Sequence, residues 1–390
     1  MKTTMALVVA VCGGIAAAQR TGPPAARGNY YRMKVARIVD ERGFERAMTA
    51  LTMLIPADWQ FQGNAQYAAA PGCHANLVRL GFRATSPDGR LAIELFPGNV
   101  WQWADDRNAV GLMQASNQQL AQFGGRGCDL NPPLTAEEFL RRAVLPGARR
   151  EARVQGVEPI PDVAQEAQEQ ARQMEQGAAR QGVPMRLRVD VTRLRLNYNL
   201  SGQPVEEWMT AMTYASGIPG PTFNPMTGQM GQALYYTCGG DHVIGLRAPQ
   251  GQLDGQEKFF RMVLSTIRVD PEWAARVAQS IANLQATDLK GARDRSAIAT
   301  QSRRDIGNII RETHANTNQG RDRAMEGWSQ YMRGVETFRN PATGESVDLS
   351  NQYGHAWAGA NGEYIVSDST SFDPNVSVRG NWTRLEPVRR

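Results

Sequence analysis

The stretch Arg186-Leu-Arg-Val-Asp-Val-Thr-Arg-Leu-Arg-Leu-Asn-Tyr-Asn-Leu200, followed by Ser201-Gly-Gln-Pro204, decides the fold class. Leu187, Val189 and Val191 alternate with polar residues, the period-2 signature of a strand. The alternation then slips by one, and Leu194, Leu196, Tyr198 and Leu200 continue it. A slip of one residue predicts a β-bulge near Thr192-Arg193. Ser201-Gly202 turns the chain into a partner strand carrying Trp208, Thr210, Met212 and Tyr214 on one face. Further strands are expected over 234–238 and 242–248, with Gly239-Gly240-Asp241 read as the turn between them.

Upstream, 75–85 and 91–96 flank Ser86-Pro-Asp-Gly89-Arg90, a hairpin signal. Helices interrupt the strands. Thr135-Ala-Glu-Glu138 is a capping box, with Phe139, Leu140, Ala143 and Val144 expected inward. Asp254-Gly-Gln-Glu257 resembles the same device, before Phe260, Val263, Leu264 and Ile267 at helical spacing. Residues 162–181, rich in Ala, Gln and Glu, predict a helix lying on the surface. Pro271-Glu-Trp273 opens a long polar helix with a thin stripe through Val277, Ile281 and Leu284. The chain therefore reads as α+β, with a largely antiparallel sheet and packed helices, then a long polar helix and a small β-rich C-terminal module. Its boundaries are expected at 1–18 (signal peptide), 19–30 (disordered leader), 31–270 (globular domain), 271–333 (long helix) and 334–390 (β-rich module).

The N-terminus carries Lys2, an apolar run from Met5 to Ile15 and then Ala16-Ala-Ala18, the pattern of a secretory signal cleaved after Ala18. A lipoprotein signal at Cys12 competes, but Val11 stands where Gly or Ala is usual. Export to the periplasm or beyond is the expectation, and no later run reaches the roughly 20 apolar residues of a membrane helix. Cleavage leaves Cys73, Cys128 and Cys238. One disulfide and one leftover thiol are expected in an oxidising compartment, and Cys73 with Cys128 is the favoured pairing because both lie in glycine-rich connections. Three single pairings stay open. Of 43 Lys+Arg only Lys2, Lys34, Lys258 and Lys290 are lysine, and no dense basic run suggests nucleic acid.

In the tail, Ala360-Asn361-Gly362 predicts a hairpin between 353–357 and 363–366. Trp328 or Met332 of the preceding helix is expected to pack against Trp357 or Trp382. The residues Gly334-Val-Glu336, Asn340-Pro341-x-Thr-Gly344-Glu345, Tyr353-Gly-His355-x-Trp357, Asn361-Gly-Glu363-Tyr364-Ile365, Ser367-Asp368 and Phe372-Asp-Pro-Asn375 together resemble a C-terminal segment of uncharacterised secreted bacterial proteins. That resemblance implies no particular activity. Leu54-Ile-Pro56-x-x-Trp59-x-Phe61, Phe82-x-x-x-Ser86-Pro-Asp-Gly89 and Ile93-x-x-Phe96-Pro97 resemble the PsbP-like α/β fold across 45–270. The resemblance implies partner binding rather than catalysis.

Recognisable reaction chemistry is missing from the sequence. His74, His242, His314 and His355 form no metal-ligand spacing, the cysteines form no CxxC, and neither a metal nor a cofactor is expected. Cys238 beside His242 could form a nucleophile and base only within hydrogen-bond reach; a core thiol is the plainer reading. The aromatic sets are the candidate binding residues: Trp101, Trp103, His355, Trp357, Tyr364 and Trp382. Exposed aromatics on a rigid sheet suit a protein or glycan partner. Against this, a small module needs its tryptophans for its own core. The alternative is a hydrolase of envelope polymers using Glu94, Asp105 and Asp106 near Trp101 and Trp103.

Overall fold

The computed structural model describes residues 30–68, 72–122, 124–180, 182–224, 226–296, 335–350, 352–378 and 380–388. The expected signal peptide, most of the leader, the distal part of the long helix and the Trp328 and Met332 contacts lie outside the described residues. In chain order the first strands are β1 (Tyr30–Asp40), β2 (Met48–Pro56), β3 (Gln60–Tyr67), β4 (Val78–Thr85), β5 (Ala92–Phe96) and β6 (Asn99–Ala104). Helix α1 (Arg107–Gln122) follows, then α2 (Ala136–Phe139) and α3 (Leu145–Ala148) with a π turn over Leu140–Val144 between them. Next come β7 (Arg153–Glu158), α4 (Pro161–Arg180), β8 (Arg186–Leu200), β9 (Gln203–Asn224) and β10 (Gln229–Pro249). Helix α5 (Glu257–Leu264), β11 (Arg268–Val269) and α6 (Pro271–Ser296) complete this part. The C-terminal part holds β12 (Val335–Arg339), β13 (Ser346–Ser350), β14 (His355–Gly359), β15 (Glu363–Ser367), α7 (Pro374–Ser377), β16 (Trp382–Arg384) and β17 (Glu386–Pro387).

Two large antiparallel sheets carry the fold. One runs β3-β4-β5-β10-β9-β8-β7, with β6 continuing beside β10. The other runs β11-β2-β1-β15-β14-β16, and a small sheet β13-β12-β17 stands with them. One apolar cluster joins Ile38, Leu51 and Ile55 of the second sheet to Phe82, Ile93, Trp208 and Leu246 of the first, with Phe259, Phe260 and Val263 of α5 among them. Phe338, Leu349, Val366 and Leu385 belong to the same cluster. The C-terminal part thus shares a core with the rest of the chain. It also shares a sheet, because Tyr30–Lys34 of β1 pairs with Glu363–Ser367 of β15.

Several expectations hold. The Ser201-Gly202 turn has positive φ at both residues and brings Leu200 opposite Gln203. The 91–96 strand pairs back on β4. Thr135 and Glu138 form both bonds of the capping box. The tail hairpin pairs Ala356 with Val366 and Trp357 with Ile365 across Gly362, and Cys73 is disulfide-bonded to Cys128.

Other expectations fail for physical reasons. No bulge occurs at Thr192-Arg193: β8 and β9 stay in unbroken register from Arg186 opposite Gly217 to Leu200 opposite Gln203. The phase slip is a change of covered face. Val189 and Val191 pack beneath α4 with Val163, whereas Leu194 and Leu196 face Phe139, Leu140 and Leu145 on the other side. Gly239-Gly240-Asp241 is not a turn either; β10 runs through it, with a register shift between Asp241 and Ile244. Its glycines admit rings. A Cβ at Gly239 would lie 2.4 Å from the Tyr214 ring, and one at Gly240 2.3 Å from Phe139.

Past Leu140 the helix departs from its expected phase. Pro146 cannot accommodate the carbonyl four residues back, and the π turn relieves the clash, leaving Ala143 exposed and Leu145 buried. Asp254 caps no helix; its carboxylate pairs with Arg195.

Candidate functional site

The aromatic candidates divide by environment. Trp101 on β6 is 3% exposed, stacks on Phe139 at 5.8 Å between ring centroids and donates its indole N–H to the Pro132 carbonyl at 3.3 Å. Trp103, two residues along the same face, is half-buried opposite Tyr236. Trp357 and Trp382 are buried on the outer face of the second sheet, in a small cluster with Ile365 and, around them, Tyr30, Phe372 and Val378. Phe372 stacks on Tyr30 at 4.5 Å and meets Trp357 edge-on at 5.6 Å. The segment after β15 folds back over that face, so these two tryptophans are packing residues and not a displayed surface. Tyr364 is half-buried against the main core. His355 is half-buried with its Nδ1 3.1 Å from Arg384 Nη2.

The acidic candidates are engaged in holding the fold. Asp105 accepts the Leu234 N–H at 2.7 Å. Asp106 accepts from the Ala109 N–H at 2.9 Å at the start of α1 and from the Thr222 hydroxyl at 3.0 Å. Glu94 accepts from Arg83 at 2.6 Å and from Arg149 at 2.7 Å. Burial pushes the Glu94 carboxyl up, but the bonds and charges of the two arginines outweigh it and hold the group below its ordinary value. The Cys238 thiol is buried in the Trp101–Phe139 cluster, and desolvation pushes it up to about 12. It stays protonated and inert at neutral pH.

Glu94 belongs to a larger buried ion cluster that sequence reading did not identify. Arg149, just past α3, lies over the sheet and donates to Glu207 at 2.6 and 2.9 Å as well as to Glu94. Glu207 is fully buried on β9 and also accepts from the Tyr198 hydroxyl at 2.6 Å. Burial, then the Glu207 charge, push the Tyr198 phenol up to about 12, so it is a donor at neutral pH. The Arg149 guanidinium lies 5.1 Å from the Phe96 ring centroid and 5.7 Å from that of Tyr198.

Across the strand from Glu207 stands Arg247 of β10. It lines a concavity of about 360 Å³ between β3, β4, the Asp88-Gly89-Arg90 turn and the Ser201-Gly202 turn. No local signal marks this arrangement: Arg149 and Glu207 are 58 positions apart, and Arg247 reaches a carbonyl 158 positions away.

No group of three or more metal-ligating side chains occurs among the described residues. Among them, too, no helix is long and apolar enough to cross a membrane. Comparison with protein families, with curated proteins and with solved structures finds no match to this chain.

Proposed function

We propose that the protein is an exported, non-enzymatic binding protein that recognises a protein or glycan partner in the cell envelope or outside the cell. One observation carries this reading against the hydrolase alternative: Asp105 and Asp106 each accept hydrogen bonds that hold the fold, and Trp101 itself fills the core. Glycosidic cleavage needs two carboxyl groups facing each other across an open site, about 5–9.5 Å apart. The Cys73–Cys128 disulfide is compatible with an oxidising compartment. Trp103, half-buried on the rim of β6, is the aromatic candidate best placed to meet a partner.

The test uses the chain from residue 19 onward, exposed to arrays of peptides and envelope glycans and, separately, to envelope polymers with product release followed by mass spectrometry. Saturable binding without release is expected, weakened by Trp103→Ala in a protein that melts normally. Polymer cleavage that disappears in Asp105→Asn or Asp106→Asn would establish the hydrolase instead.

A further inference from the structure

Arg247 is 5% exposed, yet among the described residues no carboxylate pairs with it. Its Nη2 donates to the Gly89 carbonyl at 2.8 Å, its Nη1 lies 3.5 Å from the Tyr198 hydroxyl, and its Nε has no hydrogen-bond partner among the described residues. The two nearby carboxylates are already committed. Glu207 is held by Arg149 and Tyr198, and Glu94 by Arg149 and Arg83. Three arginines therefore share two carboxylates, and the surplus positive charge stands at Arg247. A buried guanidinium with an unmatched donor is costly unless an anion completes it.

The space in front of it is shaped for that role. Arg247 and Arg83 line the concavity together, with the side chains of Gln60, Gln62 and Gln203 around them. Asp88 also lines it, but Arg90 at 2.8 Å and the Ser86 hydroxyl at 2.5 Å already engage its carboxylate. A planar guanidinium matches a carboxylate or phosphoryl group by paired N–H donors. The volume exceeds that of a lone anion, and its amide-rich lining suits the hydroxyls of a polar molecule.

We propose that this concavity is a binding site for a polar ligand bearing one oxyanion group, a carboxylate or a phosphate ester, held by Arg247 and Arg83. The proposal does not depend on the partner-binding reading above. Titration calorimetry of the chain from residue 19, with glucuronate and with glucose 6-phosphate as probes, at ionic strength held constant with chloride, tests it. One saturable site is expected for at least one probe, the preferred probe giving the source of the oxyanion, with neutral glucose silent. Arg247→Gln should weaken binding by about tenfold or more. Because that variant removes a buried residue, amide shifts of the wild-type protein give a second readout: Gly89, Arg90, Ser201 and Gln203 should titrate together. No saturable binding of either probe, shifts confined to other surfaces, or a folded Arg247→Gln variant with unchanged affinity would each overturn the proposal.

Discussion

The two large sheets are assembled in opposite ways. In the β3–β10 sheet most neighbours are also neighbours in sequence: β3 with β4, β4 with β5, β7 with β8, β8 with β9, β9 with β10. Cross-links then fasten it, a disulfide beside β6 and a buried ion cluster spanning β5 and β9. The β1–β15 sheet joins strands from the two ends of the described chain. Its central pairing places Arg32 against Glu363 in an ion pair at 2.6 Å, 331 positions apart. That pair is partly exposed and stabilises little; the apolar faces above and below the strands hold the sheet. The first sheet is thus built from local hairpins and secured electrostatically and covalently, the second from a long-range closure secured by packing.

Breaking the ion cluster should give the largest effect. Arg149→Ala leaves Glu207 buried without its guanidinium and is expected to cost about 3–5 kcal/mol in urea unfolding. The same cluster sets an acid limit. Glu94 titrates below its ordinary value of 4.5 in the folded protein, so its contribution is complete above that pH and is lost as pH falls through the lowered value. Stability curves of the wild type should show this acid slope, and those of Glu94→Gln should lack it. An unchanged slope in Glu94→Gln would assign the acid sensitivity elsewhere, for example to Asp40, which is also held low.

Closure of the second sheet is probed by Ile365→Ala. Ile365 is fully buried in one cluster with Trp357 and Trp382, and the cavity should cost about 2–5 kcal/mol. Hydrogen exchange gives the sharper result. Amides of β1 and β15 should lose protection together, while the β8–β9 hairpin keeps its own; independent behaviour of β1 and β15 would break the comparison.

Replacing both Cys73 and Cys128 by alanine should remove about 2–4 kcal/mol, with exchange rising first around β6 and leaving β1–β15 protected. Smallest is Thr135→Ala, which removes one half of the capping box and should lower stability by about 1 kcal/mol. A thermal shift several times larger would mean that α2 also organises the Phe139 and Arg149 contacts.

Local chemistry alone determined a good deal. Gly202 and Gly362 fix hairpins because glycine adopts positive φ at no steric cost, and Thr135 with Glu138 fixes a helix start because both bonds close within four residues. The alternation of Arg186–Leu200 gave the strand, and the glycine-rich surroundings favoured the Cys73–Cys128 pairing that the fold contains.

Tertiary structure decided which face of each strand is covered, and there local reading failed. The slip at Thr192 follows from α4 covering one end of β8 and Phe139 the opposite face of the other, and nothing within the strand encodes either neighbour. Gly239 and Gly240 look like a turn until Tyr214 and Phe139 occupy the space their missing side chains leave. The tryptophans of the tail are distinguished as packing residues only once Tyr30 and Phe372 close over them. The unneutralised charge at Arg247 exists only because folding brings Arg149 to Glu207 and Glu94 first. Pairing across hundreds of residues depends on complementary surfaces and loop closure, and these come into being only in the folded chain.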